Sequence, residues 1–573
     1  MLTCLVGLWM AATMAQQAPS EVAWLKSVPA DVPVVVRIRA LEDVGGELQA
    51  MLKAMSPFAA DAAKDGLDEG LRSLKAMFGK AVGKNPFLLL SGLPDPEAFA
   101  IPPWGMIVKS VDYEGVVKGL AEDGGGKPKS LGGHDSFTSK DGQTWYATRG
   151  DDWVAFGPDE AMIKAIRKPE VSLDDMLSAE AKAKLLQGDV SLYLNVVAIQ
   201  KRYGAAIQKQ VKTALVAQMR EDNQPGPELT QSMKSINTLF AGLDKALKAG
   251  GVLVLGFDFD ADGLKLAGWA AAKGAVPSAK GAAKPEVNTG TLLEKLPDDL
   301  MVYFFSAASS QDAPNPTDAV GGLSGLFKRR ISPHEKATAA RSKALEGRQV
   351  TGFSLVPLRS VSLADPTDPN AVARASLQAD RASRSDEHTV ITVEPDALKY
   401  GGYPLDRTKS VFSERLIQLI QKEKPSFPNI VGIVQKIVPD RTIVAYFGSD
   451  GKDFISLVLA SEEQVRAAID VVRNARRNLG RLAAWKSLRG QFPKEMTLFM
   501  AINGQETVAT ILQIYGVLSN NADMKPPADM PGETQFLGIG AIASSQGYDF
   551  RLVIPSKFIP VLEKGLAPLG DGP

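Results

Sequence analysis

Leu25-Lys-Ser-Val-Pro29-Ala-Asp31-Val-Pro-Val-Val returns later in the chain as Leu293-Glu-Lys-Leu-Pro297-Asp-Asp299-Leu-Met-Val-Tyr. Pro29 and Pro297, like Asp31 and Asp299, stand 268 positions apart. Each copy reads as a helix-like end, a Pro-x-Asp turn and a β-branched or aromatic strand, Val34 to Ile38 and Met301 to Phe305. Self-similarity that persists along a chain marks a repeated structural unit, which requires further matches in the same order.

Three more follow. Trp145 to Lys168 and Thr442 to Asp470 each read as strand, tight turn, strand and helix, the second turn being Asp450-Gly451. Asp-Gly between apolar runs signals a hairpin because type I′ turns need positive φ. Ser461 and Gln464 have the spacing of a capping box at the second helix. Val190-Ser-Leu-Tyr-Leu-Asn-Val-Val matches Met496-Thr-Leu-Phe-Met-Ala-Ile-Asn, and the hairpin Val252 to Ala271 matches Phe536 to Ile554. From Ser191 to Thr497 the offset has grown to 306, which implies an insertion in the second copy. The stretch near 328–387, with Lys328-Arg-Arg-Ile-Ser-Pro and Asp365-Pro-Thr-Asp-Pro-Asn, is its natural place.

The expected fold is therefore α+β: two tandem related halves, 20–275 and 291–570, each an antiparallel sheet with helices packed on one face. Amphipathic spacing predicts helices over Glu47 to Met77, Tyr203 to Gln218 and Pro227 to Lys248, the last closed by Gly250-Gly251. Asp123-Gly-Gly-Gly-Lys-Pro reads as a loop, and 276–290 as a linker rich in Ala, Gly, Lys and Pro. At 573 residues the chain exceeds what one core supports, in keeping with two domains.

The opening Met1 to Ala15 is an apolar run ending in small residues, followed by Gln-Gln-Ala-Pro-Ser-Glu. This pattern predicts a signal peptide of residues 1–15 and export to the periplasm or cell surface. The run is shorter than the about 20 apolar residues that span a bilayer, and no later stretch reaches that length, so no transmembrane span is expected. Cys4, the one cysteine, lies inside the signal. Its removal leaves no disulfide, thiolate nucleophile or thiolate metal site. Lys+Arg and Asp+Glu are equal at 65 each, which gives no global field for nucleic acid.

Motifs that suggest chemistry are each better explained by structure. Asp258-Phe-Asp260-Ala-Asp262-Gly263 opens like a calcium loop, but the twelfth position is Trp269 instead of a bidentate Glu, and a hairpin turn accounts for every residue. His134, His334 and His388 are scattered and read as surface residues. Gly322-Leu-Ser324-Gly325 lacks the spacing of a nucleophile elbow, and Gly124-Gly-Gly-Lys127 is followed by Pro128 where a phosphate loop needs Ser or Thr. Arg149-Gly-Asp151 is what a hairpin tip requires. No catalytic, cofactor or metal residue is assigned.

One basic feature stands apart. Arg473, Arg476, Arg477, Arg481, Lys486 and Arg489 follow the helix that starts at Ser461, with no acid between Val471 and Gly490. Cations at a helix C-terminus complement its dipole, but six exceed that need and point to an anionic polymer.

With its signal, repeated Leu-x-x-[Val/Leu]-Pro-x-Asp strand starts and hairpin–helix units, the chain resembles exported proteins of bacteria such as planctomycetes, grouped as domains of unknown function. The resemblance implies an envelope location and carries over no functional residue. The leading expectation is an exported non-catalytic binding or scaffolding protein of the cell envelope, its partner an envelope protein or anionic polymer. The alternatives are a metal-independent hydrolase using carboxylates or a Ser–Lys pair, and a regulatory protein that occludes an envelope partner.

Overall fold

A computed structural model describes residues 23–56, 85–92, 102–121, 128–139, 142–202, 250–272, 290–306, 347–383, 387–423, 429–459, 461–474, 477–519, 524–528, 530–543 and 547–569, with isolated positions besides. The expected signal peptide, most of the linker and the expected helices over 203–218 and 227–248 lie outside the described residues. The chain divides into two compact units, Met1–Pro277 with Ser544–Phe550, and Ser278–Ala543 with Arg551–Pro573. Helix and strand make up 39% and 36%, with a large antiparallel sheet, so the class is α+β.

In the first unit the strands are β1 (Val34–Ile38), β2 (Phe87–Ser91), β3 (Trp104–Lys109), β4 (Lys129–Ser130), β5 (Asp135–Thr138), β6 (Thr144–Arg149), β7 (Trp153–Gly157), β8 (Val190–Leu194), β9 (Gly250–Asp260) and β10 (Gly263–Ala272). Their lateral order is β4-β5-β6-β7-β3-β2-β1-β8-β9-β10, every pair antiparallel. The Asp258–Gly263 run is the β9–β10 reversal. Asp260 Oδ1 accepts from the backbone N–H groups of Asp262 and Gly263 at 2.8 and 3.0 Å, and its other oxygen pairs with Lys265 at 2.7 Å. Gly263 has φ +136°, which a side chain would strain.

The second unit holds β11 (Val302–Ser306), β12 (Gly347–Ser354), β13 (Arg359–Pro366), β14 (Thr389–Tyr400), β15 (Tyr403–Phe412), β16 (Thr442–Ser449), β17 (Phe454–Val458), β18 (Leu498–Asn503), β19 (Phe536–Ala543) and, from Arg551 on, β20 (Gly547–Pro555). Here the order is β14-β15-β16-β17-β13-β12-β11-β18-β19-β20. Strand for strand, this is the order of the first ladder. Residues 347–382, inside the stretch read as an insertion, supply β12, β13 and the helix Pro369–Ala382. The longer connection of this unit comes later: 413–441 between β15 and β16, carrying helices Glu414–Glu423 and Ile430–Ile437, against 139–143 between β5 and β6.

The two Pro-x-Asp segments dock alike. Leu173 N donates to Val28 O at 2.7 Å and Ala30 N to Val171 O at 2.9 Å; in the second unit Leu479 N donates to Leu296 O at 2.9 Å and Asp298 N to Arg477 O at 3.2 Å. Pro29 bridges Ser172, and Pro297 bridges Asn478.

Helices on one face alone do not describe the centre of either ladder. All five residues of β7 are buried. Val154 and Phe156 cluster with Val116, Val117 and Leu120 of the helix Tyr113–Leu120, whereas Trp153 and Ala155 cluster with Ile163 and Ile166 of the helix Glu160–Arg167. In the second unit Phe447 and Phe454 meet Val372 of Pro369–Ala382, while Tyr446, Ile455 and Leu457 meet Val465, Ile469 and Val472 of the helix Glu462–Asn474. A strand apolar at consecutive positions exposes hydrocarbon on both sides, and burial of both sides needs two helical layers.

Candidate functional site

The basic residues fall into two groups. The helix Glu462–Asn474 begins at Ser461, whose hydroxyl accepts from Gln464 N at 3.3 Å. In its last turn Arg473 Nη2 pairs with Asp450 Oδ2 at 3.1 Å and lies over the Tyr403 ring at 5.4 Å. Burial pushes the Asp450 carboxyl up, but the Asp453 and Lys452 backbone N–H groups and the Arg473 guanidinium outweigh it and hold it below its ordinary value. Arg489 ends the helix Ala483–Gly490, donating from Nη1 to Pro493 O at 2.7 Å and from Nη2 to Lys494 O at 3.0 Å. These two arginines are committed to the fold.

Arg477, Arg481 and Lys486 are exposed and form no ion pair among the described residues. Arg476 lies outside the described residues. The backbone under the three is fixed: Asn478 bridges Pro297, and Leu479, Trp485 and Leu488 are buried. Burial of those apolar residues turns the cations outward.

A second feature is a cavity of about 450 Å³ in the second unit. Its charged lining is Arg359 of β13, Arg407 and Lys409 of β15, Asp440 after the helix Ile430–Ile437, and Glu462. Arg359 pairs with Asp299 at 2.9 Å, and Arg407 pairs with Glu394 and, at 3.8 Å, with Glu462. A hydrogen bond to Tyr446, ahead of Glu394, raises the Arg407 guanidinium and keeps it charged.

One reading from the sequence takes a different form here. His134 is buried, not a surface residue: its Nε2 lies 3.0 Å from Glu160 Oε1, at the helix that covers β7. Arg149 and Asp151 are exposed at the β6–β7 hairpin tip, where the Arg149 guanidinium lies over the Tyr113 ring at 5.5 Å. No group of three or more metal-ligating side chains occurs among the described residues, and no helix among them is long and apolar enough to cross a membrane.

One electrostatic cluster of the first unit had no sequence signal, because it joins residues 150 positions apart. Buried Asp189 accepts from Phe259 N at 2.7 Å and meets Arg39 at 3.3 Å; Arg39 also holds Glu47. Burial, opposed by the Phe259 N–H and by Arg39, pushes the Asp189 carboxyl up to about 6. The folded chain thus keeps this proton up to about pH 6, whereas the unfolded chain releases it near its ordinary 3.8. Stability is expected to fall as pH rises through that window, and Asp258, also raised by burial, adds with the same sign. Urea titrations from pH 4 to 6.5 should show a shallower fall for Asp189→Asn than for the parent. An unchanged slope would contradict the assignment.

Compared with protein-family models, with curated proteins and with solved structures, the chain matches none of them.

Proposed function

We propose that the chain is an exported, non-catalytic binding or scaffolding protein of the bacterial cell envelope, which contacts an anionic polymer through Arg477, Arg481 and Lys486. The observation that carries this reading is the exposure of these three cations, without ion-pair partners among the described residues, on a backbone pinned to the core. Because the core already fixes the backbone beneath them, these cations need no backbone ordering on meeting a polyanion, and their attraction adds over several contacts.

The same proposal takes the two units as copies of one ancestral ten-strand unit. Support comes from the shared ladder order and from the matching contacts of Pro29 and Pro297. In that alignment the second copy gains its extra length at 389–441, in the longer β14–β15 hairpin and the two helices after it. The leader and export rest on the apolar run Met1 to Ala15.

The purified chain is expected to be retained on dextran sulfate at low salt and to elute as ionic strength passes about 0.1–0.2 M, where the Debye length falls to about 8–10 Å. A triple variant, Arg477→Glu with Arg481→Glu and Lys486→Glu, should pass through unretained while keeping the parent's circular dichroism. Retention of the triple variant equal to the parent's would remove the polymer contact. Failure of the intact chain to bind at low salt would do the same.

A further inference from the structure

The segment that carries the outward cations has a counterpart in the first unit. Arg477 O accepts from Asp298 N as Val171 O accepts from Ala30 N, Asn478 bridges Pro297 as Ser172 bridges Pro29, and Leu479 docks as Leu173 does. Val171, Ser172 and Leu173 stand 306 positions before Arg477, Asn478 and Leu479. At that same offset the charge is reversed: Glu170, Asp175 and Glu180 precede Arg476, Arg481 and Lys486 by 306 residues. The three acids are exposed and form no ion pair among the described residues. Buried Leu173, Leu177, Ala181 and Leu185 pin the backbone beneath them. The Ser172 hydroxyl and backbone N–H hold the Asp175 carboxyl below its ordinary value, so it stays charged.

Neighbouring charges of the other sign do not cancel either face. In the first unit Asp174 holds Lys182 at 2.6 Å and Arg167 donates to Gly132 O at 3.3 Å, which leaves Lys26 and Lys168 beside the three acids. In the second unit Lys295 pairs with Asp453 and Asp299 with Arg359, which leaves Asp298 and Glu294 beside Arg477, Arg481 and Lys486. Acids outnumber cations on one face, and cations outnumber acids on the other. The acidic face also carries Val171 and Met176, 56% and 39% exposed, among the few large hydrophobic side chains that the described residues leave in water. On the basic face half-buried Leu482 and exposed Ala483 lie between Arg481 and Lys486. Apolar groups bordered by charge are the anatomy of a protein–protein contact.

We propose that the acidic face of one molecule binds the basic face of a second copy of this chain, with Glu170, Asp175 and Glu180 against Arg477, Arg481 and Lys486, and Val171 and Met176 against Leu482 and Ala483. Acids and cations borne at one spacing on matching backbones give each charge a partner of opposite sign. The two faces differ, so the contact is heterologous and copies add head to tail, as an open row or a closed ring. The contact uses the cations of the polymer site, so a polyanion and a second copy exclude each other. The acidic face takes no part in polymer binding, and either reading can fail without the other.

Sedimentation velocity of the whole chain, with no polymer present, tests the contact. At low salt the weight-average mass should rise with protein concentration, from the low micromolar range to the hundreds of micromolar. It should return to the monomer value by about 0.3 M salt, where the Debye length is about 6 Å. Glu170→Lys with Glu180→Lys, and separately Arg481→Glu with Lys486→Glu, should each remain monomeric, because each variant carries one sign of charge on both faces. Mixed in equal amounts, the two variants should associate, since opposite faces meet again. Val171→Ser with Met176→Ser should weaken association by about fivefold or more. The Glu170→Lys, Glu180→Lys variant should still be retained on dextran sulfate at least as strongly as the parent. A parent that stays monomeric throughout, folded charge variants that each associate like the parent, or a mixture that stays monomeric would each overturn the proposal. Retention of a monomeric parent on polylysine, lost on reversal of Glu170 and Glu180, would give the acidic face to a foreign polycation instead.

Discussion

Trp485→Ala is expected to destabilise the second unit by about 3–5 kcal/mol, the range for removing a large aromatic side chain from a core. Trp485 is fully buried. Its ring meets Phe499 and Phe536 edge-on, each at 5.7 Å, and lies 6.0 Å from Tyr303. Phe499 sits on β18 and Tyr303 on β11, neighbouring strands, so the indole ties the helix Ala483–Gly490 to the middle of the ladder. Tyr303 itself has little room to relax into the void. Its hydroxyl donates to Pro297 O at 2.9 Å and accepts from Leu300 N at 3.0 Å. Trp485→Phe should cost much less than alanine, since it keeps most of the ring contacts and removes an indole N–H with no acceptor among the described residues. Urea unfolding read by hydrogen exchange of β11 and β18 amides checks both substitutions. A loss below about 1 kcal/mol for alanine would mean that the helix is not anchored by this ring.

Phe156→Ala should remove a similar amount, about 3–5 kcal/mol, from the first unit. Phe156 is fully buried on β7, stacks on Trp145 with centroids 6.1 Å apart and planes 10° apart, and stands opposite Met106 of β3 and Ala147 of β6. Strands hold β7 on both edges and helices cover it on both faces. The site therefore cannot collapse around alanine, and each Å³ left empty adds about 24 cal/mol. Hydrogen exchange of β3 and β6 amides under mild denaturant is the direct readout. Protection unchanged from the parent would show that the second helical layer contributes little.

Much of the local architecture is legible from residue order. The Asp450-Gly451 reversal forms, with Gly451 at φ +87°, and Asp450 accepts from the two backbone N–H groups that follow the glycine. Ser461 caps its helix as its spacing suggests. The first part of the expected 47–77 helix lies in Leu41–Met55, which begins six residues earlier because Ala40 is extended and the first turn already carries Glu42 and Asp43; most of 57–77 lies outside the described residues. What local reading missed has a common cause. Trp153-Val-Ala-Phe-Gly is apolar at every position, and such a run does not tell one covered face from two. The 12-residue strand β14 and its partner β15 drew no attention, since Thr389 to Tyr400 alternates between half-buried and exposed residues at the edge of the ladder.

The basic segment divides along the same line. From residue order alone Arg473 and Arg489 are equivalent to Arg477, Arg481 and Lys486. Only the approach of Asp450, and of the carbonyls of Pro493 and Lys494, distinguishes the arginines that hold the fold from the cations left outside. Charge and helical position are written in the chain, but the partner of a charge is chosen by chain reversal.

Turn chemistry, capping and strand content act between neighbours in the chain, and a single sequence carries them: the Pro-x-Asp starts, the Asp-Gly reversals and the strands they delimit were readable one residue after another. The lateral order of ten strands, the double cover of β7, the burial of Asp189 against Arg39 and the cavity under Lys409 depend on residues far apart in the chain. Those contacts exist only once the ladder has closed, because burial and desolvation are properties of the packed assembly of elements and belong to no segment alone.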